Sequence, residues 1–154
     1  MSQAHIHLIF NHVPIVGSLF AFVLLASGLG QKNTSLTRAG LVAVLAAGLF
    51  CLPVQFTGEG AAKIVQDMPR VSRALIQAHA AAAEQGFWVL EGAAALALFA
   101  LLLMKNTSPR ARLLALLVLL ATGLSFGLLA RAGNLGGQIR HTEIREGFGT
   151  PDEL

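Results

Sequence analysis

Residues 113–132 read "LLALLVLLATGLSFGLLARA", a run in which Arg131 is the only charged side chain. A helix rising 1.5 Å per residue needs about 20 such residues to cross about 30 Å of hydrocarbon. No water reaches backbone N–H and C=O groups at that depth, so the run must satisfy them internally as a helix. Similar apolar runs occupy residues 8–29, 39–57 and 83–104. The pattern predicts an all-α, polytopic membrane protein: one four-transmembrane-helix bundle over 1–154, with an external helical connection over 59–82.

Composition points the same way. Hydrophobic residues make up 55% of the 154 and charged ones 12%, which argues against an ordinary soluble globule. The formal net charge of +3 would suggest nucleic acid in a soluble chain, but here the basic residues sit in short loops, where they set topology. Nucleic acid is therefore not an expected partner. The loops "GQKNTSLTR" (30–38) and "KNTSPRAR" (105–112) carry Lys32, Arg38, Lys105, Arg110 and Arg112 with no acid. By contrast, "TGEGAAKIVQDMPRVSR" (57–73) and the tail "RHTEIREGFGTPDEL" (140–154) mix signs. The positive-inside bias then places the two basic loops in the cytoplasm and both termini outside, facing the periplasm if the membrane is the inner membrane of a Gram-negative bacterium. The start "MSQAHIHLIF" lacks a basic signal region, so the first run reads as a retained span. A single cysteine, Cys51, excludes an intrachain disulfide and reads as packing.

Local signals refine the helix ends. In "TSPR", Ser108 reads as an N-cap with Pro109 at the first helical position. Apolar positions in "GEGAAKIVQDM" recur at helical spacing until Pro69, and "VSRALIQAHAAAAEQGFWVL" reads as helix from Ser72 onward. The outer ends of spans two and three are thus expected to project above the bilayer, and "GFGTPDEL" to fray.

On that topology all five histidines fall at one face: His5, His7 and His12 on span one, His79 on span three and His141 beyond span four. Glu59, Glu84 and Glu143 share the level. Imidazole ligates haem iron, copper and zinc, and a ligating ring needs a partner for its second nitrogen. A bundle builds such sites by aiming side chains inward at one depth. His12, in "NHVPIVG", sits near a cap two residues before Pro14 and reads equally as ligand or as a plain hydrogen-bonding residue. His79, flanked by alanines, has an unobstructed ring. His141 can ligate if the chain folds back over the bundle. His5 and His7 lie on an expected solvated tail, although "HIH" spacing can make a copper site. Gly133, Gly136 and Gly137 leave one helical face bare for a porphyrin edge or a neighbouring helix, and Arg131 can pair with haem propionates or Glu84. Candidate cofactor-binding residues are therefore His12, His79, Arg131 and His141, and candidate metal ligands His12, Glu59, His79 and His141.

Glu91 falls inside span three, where an ionised side chain is costly. Sharing a face with Glu84, it can form a short carboxylate path; the plainer expectation is a protonated carboxyl bonded to Thr122, Ser125 or Gln55. Phe87 and Trp88 read as interfacial aromatics.

"HVPIVGSLFAF", "TGEGA" and "GGQIRHTEI" together resemble a group of uncharacterised small bacterial four-helix membrane proteins, which carry a histidine before a proline in the first span and Gly-Gly followed by histidine after the last. That group is distantly similar to the four-helix cores of membrane b-type cytochromes. The resemblance implies a haem b ligated by histidines of different helices, with His12, Glu59 and His141 at the matching positions and His79 in a helix where such families often carry one. With no histidine at the cytoplasmic side, at most one haem is implied. Three functions follow as expectations: a haem b protein passing electrons to or from a quinone or a periplasmic carrier; a non-haem copper, zinc or iron site; or a cofactor-free subunit of a larger membrane complex or homo-oligomer. No nucleophile motif, phosphate loop or cysteine pair points to an enzyme, and oxidase or reductase chemistry follows only by extension of a metal site.

Overall fold

The computed structural model describes residues 1–104 and 109–145. It contains α1 (Gln3–Phe10), α2 (His12–Gly30), α3 (Thr34–Val65), α4 (Arg73–Leu103), α5 (Pro109–Arg140) and a closing 3-10 turn, Thr142–Ile144. Four stretches are long and apolar enough to cross a membrane: Gln3–Gly30, Thr34–Val65, Arg73–Leu103 and Arg110–Arg140. That is compatible with an integral membrane protein. Short connections at 31–33 and 66–72 make consecutive helices antiparallel, and α2 and α4 each pack on both α3 and α5, closing a four-helix ring with α1 lying on α3.

The helices run well past the apolar runs that announce them. At 32 residues, α3 continues through the Gly- and Ala-rich segment to Val65 as one element rather than a span followed by a separate external helix. Its length of about 48 Å exceeds the hydrocarbon by several turns. Pro53 sits inside α3 without ending it. Ser72 caps α4 as expected, its hydroxyl accepting from the Leu75 N–H at 3.4 Å. Pro109 begins α5, while the Ser108 cap and the "GFGTPDEL" tail lie outside the described residues.

The N-terminal histidines lie on a helix rather than a loose tail; His5 is exposed as expected, whereas His7 is partly buried. Pro14 has no N–H to offer the Phe10 carbonyl, and the helix breaks one turn earlier, at Asn11 alone. Asn11 keeps right-handed helical angles, so α1 and α2 form a single stretch that brings α1 against α3.

At the opposite end, α2 closes with a 2.8 Å bond from the Asn33 N–H to the Gly28 carbonyl, and Lys32 takes the left-handed position (φ 52°) where glycine usually stands. Asn33 then caps α3 through the Leu36 N–H.

Leu25, Leu41, Val44, Leu90 and Val118 form the core with a ladder of small residues, Ala21, Ala93, Ala97, Ala100 and Ala115. Small residues let backbones approach where lipid supplies no hydrophobic drive. A methyl on Gly40 would stand 2.9 Å from the Leu25 backbone nitrogen, and one on Gly86 would stand 2.7 Å from Leu129 Cδ2. Beside Gly86, the buried Ser125 hydroxyl donates to the Gly86 carbonyl across the α4–α5 seam at 3.0 Å. Cys51 is buried and free, as packing requires. Phe87 is buried too, correcting its reading as an interfacial aromatic; Trp88 is 64% exposed and fits that role.

Candidate functional site

Two imidazoles meet at the end of the bundle away from the basic loops. His7, on α1, and His79, on α4, have ring centroids 6.2 Å apart and planes at 85°. His79 Nδ1 lies 2.7 Å from the Ala132 carbonyl of α5, and His7 Nδ1 lies 3.1 Å from the Val54 carbonyl of α3. A carbonyl can only accept, so each Nδ1 carries the proton, and in the neutral ring each Nε2 keeps its lone pair. The pair thereby links all four stacks of the bundle at one level.

Both anchors follow one local rule. A helix carbonyl already accepts from the N–H four residues on, and a side chain at that position crowds its second lone pair. Here the position is glycine in each case: Gly58 follows Val54, and Gly136 follows Ala132. A methyl on Gly136 would stand 3.1 Å from His79 Nδ1 and Cε1, whereas one on Gly58 would stand 3.6 Å from His7 Cε1. The "TGEG" segment does more for α1. The Thr57 hydroxyl donates to the Pro53 carbonyl at 2.6 Å and lies 3.4 Å from His7 Nδ1, while Gly60 makes way for the Gln3 side chain.

The other expected site residues are placed elsewhere. His12 opens α2 and is exposed. Glu59 points outward to Lys63 in a 2.7 Å ion pair. The chain after α5 does fold back, because Arg145 donates to the carbonyls of Gln138, Arg70 and Ile139, yet His141 turns to Glu143 at 2.9 Å with both side chains exposed. Glu84 and Arg131 are exposed. Among the described residues, no group of three or more His, Cys, Asp or Glu side chains is gathered closely enough to hold a metal ion.

The glycine face is occupied by the protein itself. Gly133 faces Ile15, Gly136 faces His79 and Gly137 faces Ile144. Glu91 also departs from expectation: its carboxyl lies over Gly48, and among the described residues its buried Oε1 has no hydrogen-bond partner, as is also true of the Thr122 hydroxyl. Ser125 is committed to Gly86 and Gln55 is exposed.

Compared with known proteins, the chain matches no family model, no curated protein and no solved structure. The geometry of the paired histidines therefore carries the functional argument. Sequence reasoning weighed His79 but set His7 aside. The signals available for His7 were the apolar "HLIF" continuing from it and the glycine four residues beyond Val54.

Proposed function

We propose that this is an integral membrane redox protein in which His7 and His79 would hold one haem b, for electron exchange with a quinone or a carrier at that membrane face. The observation that carries the reading is the pair itself: two rings from different helices, each held through Nδ1 by a main-chain carbonyl, which is how metal-ligating histidines are oriented and fixed in tautomer.

The two ring centroids stand 6.2 Å apart. Two imidazoles from different helices are a donor set that would suit haem iron, whereas a structural zinc site takes four ligands. Bound haem would supply one-electron chemistry at its iron. Arg131, exposed and next to Ala132 in sequence, is available to a propionate.

A second reading is a single copper ion, which the same two rings would hold. The tight approach of Gly136 to His79 favours it, since one ion needs less room than a macrocycle. The purified protein's absorption spectrum, taken before and after dithionite, tests both. A Soret band that is lost in His7→Ala and in His79→Ala but kept in His12→Ala and His141→Ala supports haem. Stoichiometric copper without a Soret band supports the second reading, and neither signal overturns both, leaving the pair as a clasp between helices.

A further inference from the structure

At the opposite end of the bundle two cavities adjoin. The first, about 280 Å³, opens between the α2–α3 turn and the start of α5; Gly28, Thr34 and Thr37 line it together with the side chains of Lys32 and Arg112. The second, about 310 Å³, shares Leu29 and Arg112 with the first and is otherwise lined by Leu113 and Leu116. Among the described residues, the first space thus sets Lys32, Arg112 and two threonines into a lining completed by Leu29, Met104, Ala111 and Ala115, and the second is an apolar groove directly beside it.

We propose that this pair of cavities is a binding site for an anionic phospholipid, its phosphate held by Lys32 and Arg112 in the first chamber and an acyl chain lying along Leu113 and Leu116 in the second. Neither cation makes an ion pair among the described residues. Guanidinium matches two phosphate oxygens at once, while an ammonium supplies a compact charge. Basic pockets between helices at a membrane boundary take anionic headgroups for this reason.

The backbone adds a second argument. Lys32 adopts the left-handed conformation that favours glycine, so a long cationic side chain stands where the turn itself would prefer none. From that position Lys32 lines the same chamber as Arg112 of α5. The floor at Gly28 has no side chain to fill the space. The wall is held by Arg38, which donates to the carbonyl of Met104 at 3.3 Å.

Phosphate chemistry alone would also admit free phosphate or a glycerol phosphate; the adjoining groove is what commits the site to a lipid. The test uses the full chain in detergent, with Trp88→Phe removing the native indole and Leu116→Trp placing one at the groove. Phosphatidylglycerol and phosphatidylcholine carrying the same brominated acyl chains are titrated in, and indole quenching is read. Phosphatidylglycerol should quench at a concentration about tenfold lower than phosphatidylcholine, as two cations near one phosphate predict. Adding Lys32→Gln and Arg112→Gln should remove that preference while leaving quenching by phosphatidylcholine as evidence that the groove is intact, and Lys63→Gln, at the other end, should leave the preference in place. Equal quenching by the two lipids overturns the proposal, as does a preference that survives the double substitution. Protection by glycerol phosphate at the concentration where phosphatidylglycerol acts would show a phosphate site with no lipid component, and would overturn it as well.

Discussion

His79 donates its Nδ1 proton to the Ala132 carbonyl directly above Gly136, and this bond fixes which ring nitrogen faces away from α5. The same arrangement recurs at His7, Val54 and Gly58. In both cases an imidazole from another helix is held by the main chain beside a glycine, and at Gly136 the close approach depends on the missing side chain. A lone histidine on an apolar face needs any one partner; two histidines held alike, edge to face at 6.2 Å, amount to a preorganised pair.

The angle between the rings makes the first prediction. Were a haem held between His7 and His79 with the rings kept at their present angle, the ferric protein should give a highly anisotropic low-spin electron paramagnetic resonance signal rather than the rhombic signal of parallel rings. The 85° interplanar angle is the basis. A rhombic signal would mean that the rings rotate on binding or that other residues ligate.

The two glycines differ in how closely the ring approaches. At Gly136 an added methyl meets His79 at 3.1 Å, so the ring must give by a few tenths of an ångström against its 2.7 Å bond to Ala132; at Gly58 the 3.6 Å contact is ordinary. Gly136→Ala should therefore cost about 1–3 kcal/mol, through overpacking, and should weaken cofactor retention. Gly58→Ala should change neither by as much. Thermal unfolding in detergent, followed alongside cofactor absorbance, distinguishes the two.

How much of this was legible in the sequence follows from how far each interaction reaches. Four apolar runs gave four helices because hydropathy is a local property, and Ser72 gave the start of α4 because a cap acts over three residues. The extensions were legible too: apolar spacing in 58–68 and the run from Ser72 read as helix beyond the hydrocarbon segments, and α3 and α4 do continue through them, to Val65 and from Arg73. His7 was misjudged because its partner, Val54, is 47 residues away and the bond involves only a carbonyl, which sequence does not single out. His12, Glu59 and His141 drew attention as residue types, but their placement depends on which way the helix faces at each position, and two of them settle on neighbours in their own segment.

His141 and Glu143 make a pH prediction of their own. The Glu143 carboxyl is held below the ordinary carboxylate range by its own backbone N–H first and by the His141 side chain second. A lowered pKa in the folded chain means that this local contact is present above the ordinary carboxylate pKa and is lost as the pH falls through the lowered value. His141→Ala should raise the Glu143 carboxyl part of the way back, measured by carbon-detected NMR titration. Because the pair is exposed and makes no contact with the anchors of His7 and His79 at Val54 and Ala132, the spectrum of any haem held by those two rings should stay unchanged.

Packing in the seam between α2 and α3 yields the last prediction, which sets two glycines of similar helical context against each other. Gly40 meets the Leu25 main chain, where an added methyl would lie 2.9 Å from a backbone nitrogen that cannot rotate aside, so α2 and α3 must separate and their small-residue contacts loosen along several turns. Nothing lies within 4 Å of the corresponding position on Gly92. Gly40→Ala should destabilise by about 1–3 kcal/mol. Gly92→Ala should be neutral or stabilise by about 0.5–1 kcal/mol, the usual gain of alanine over glycine within a helix. Equal effects in thermal or denaturant unfolding would mean that α2 and α3 are not in close contact at Gly40, and the seam that orients α1 and His7 through α2 would have to be redrawn.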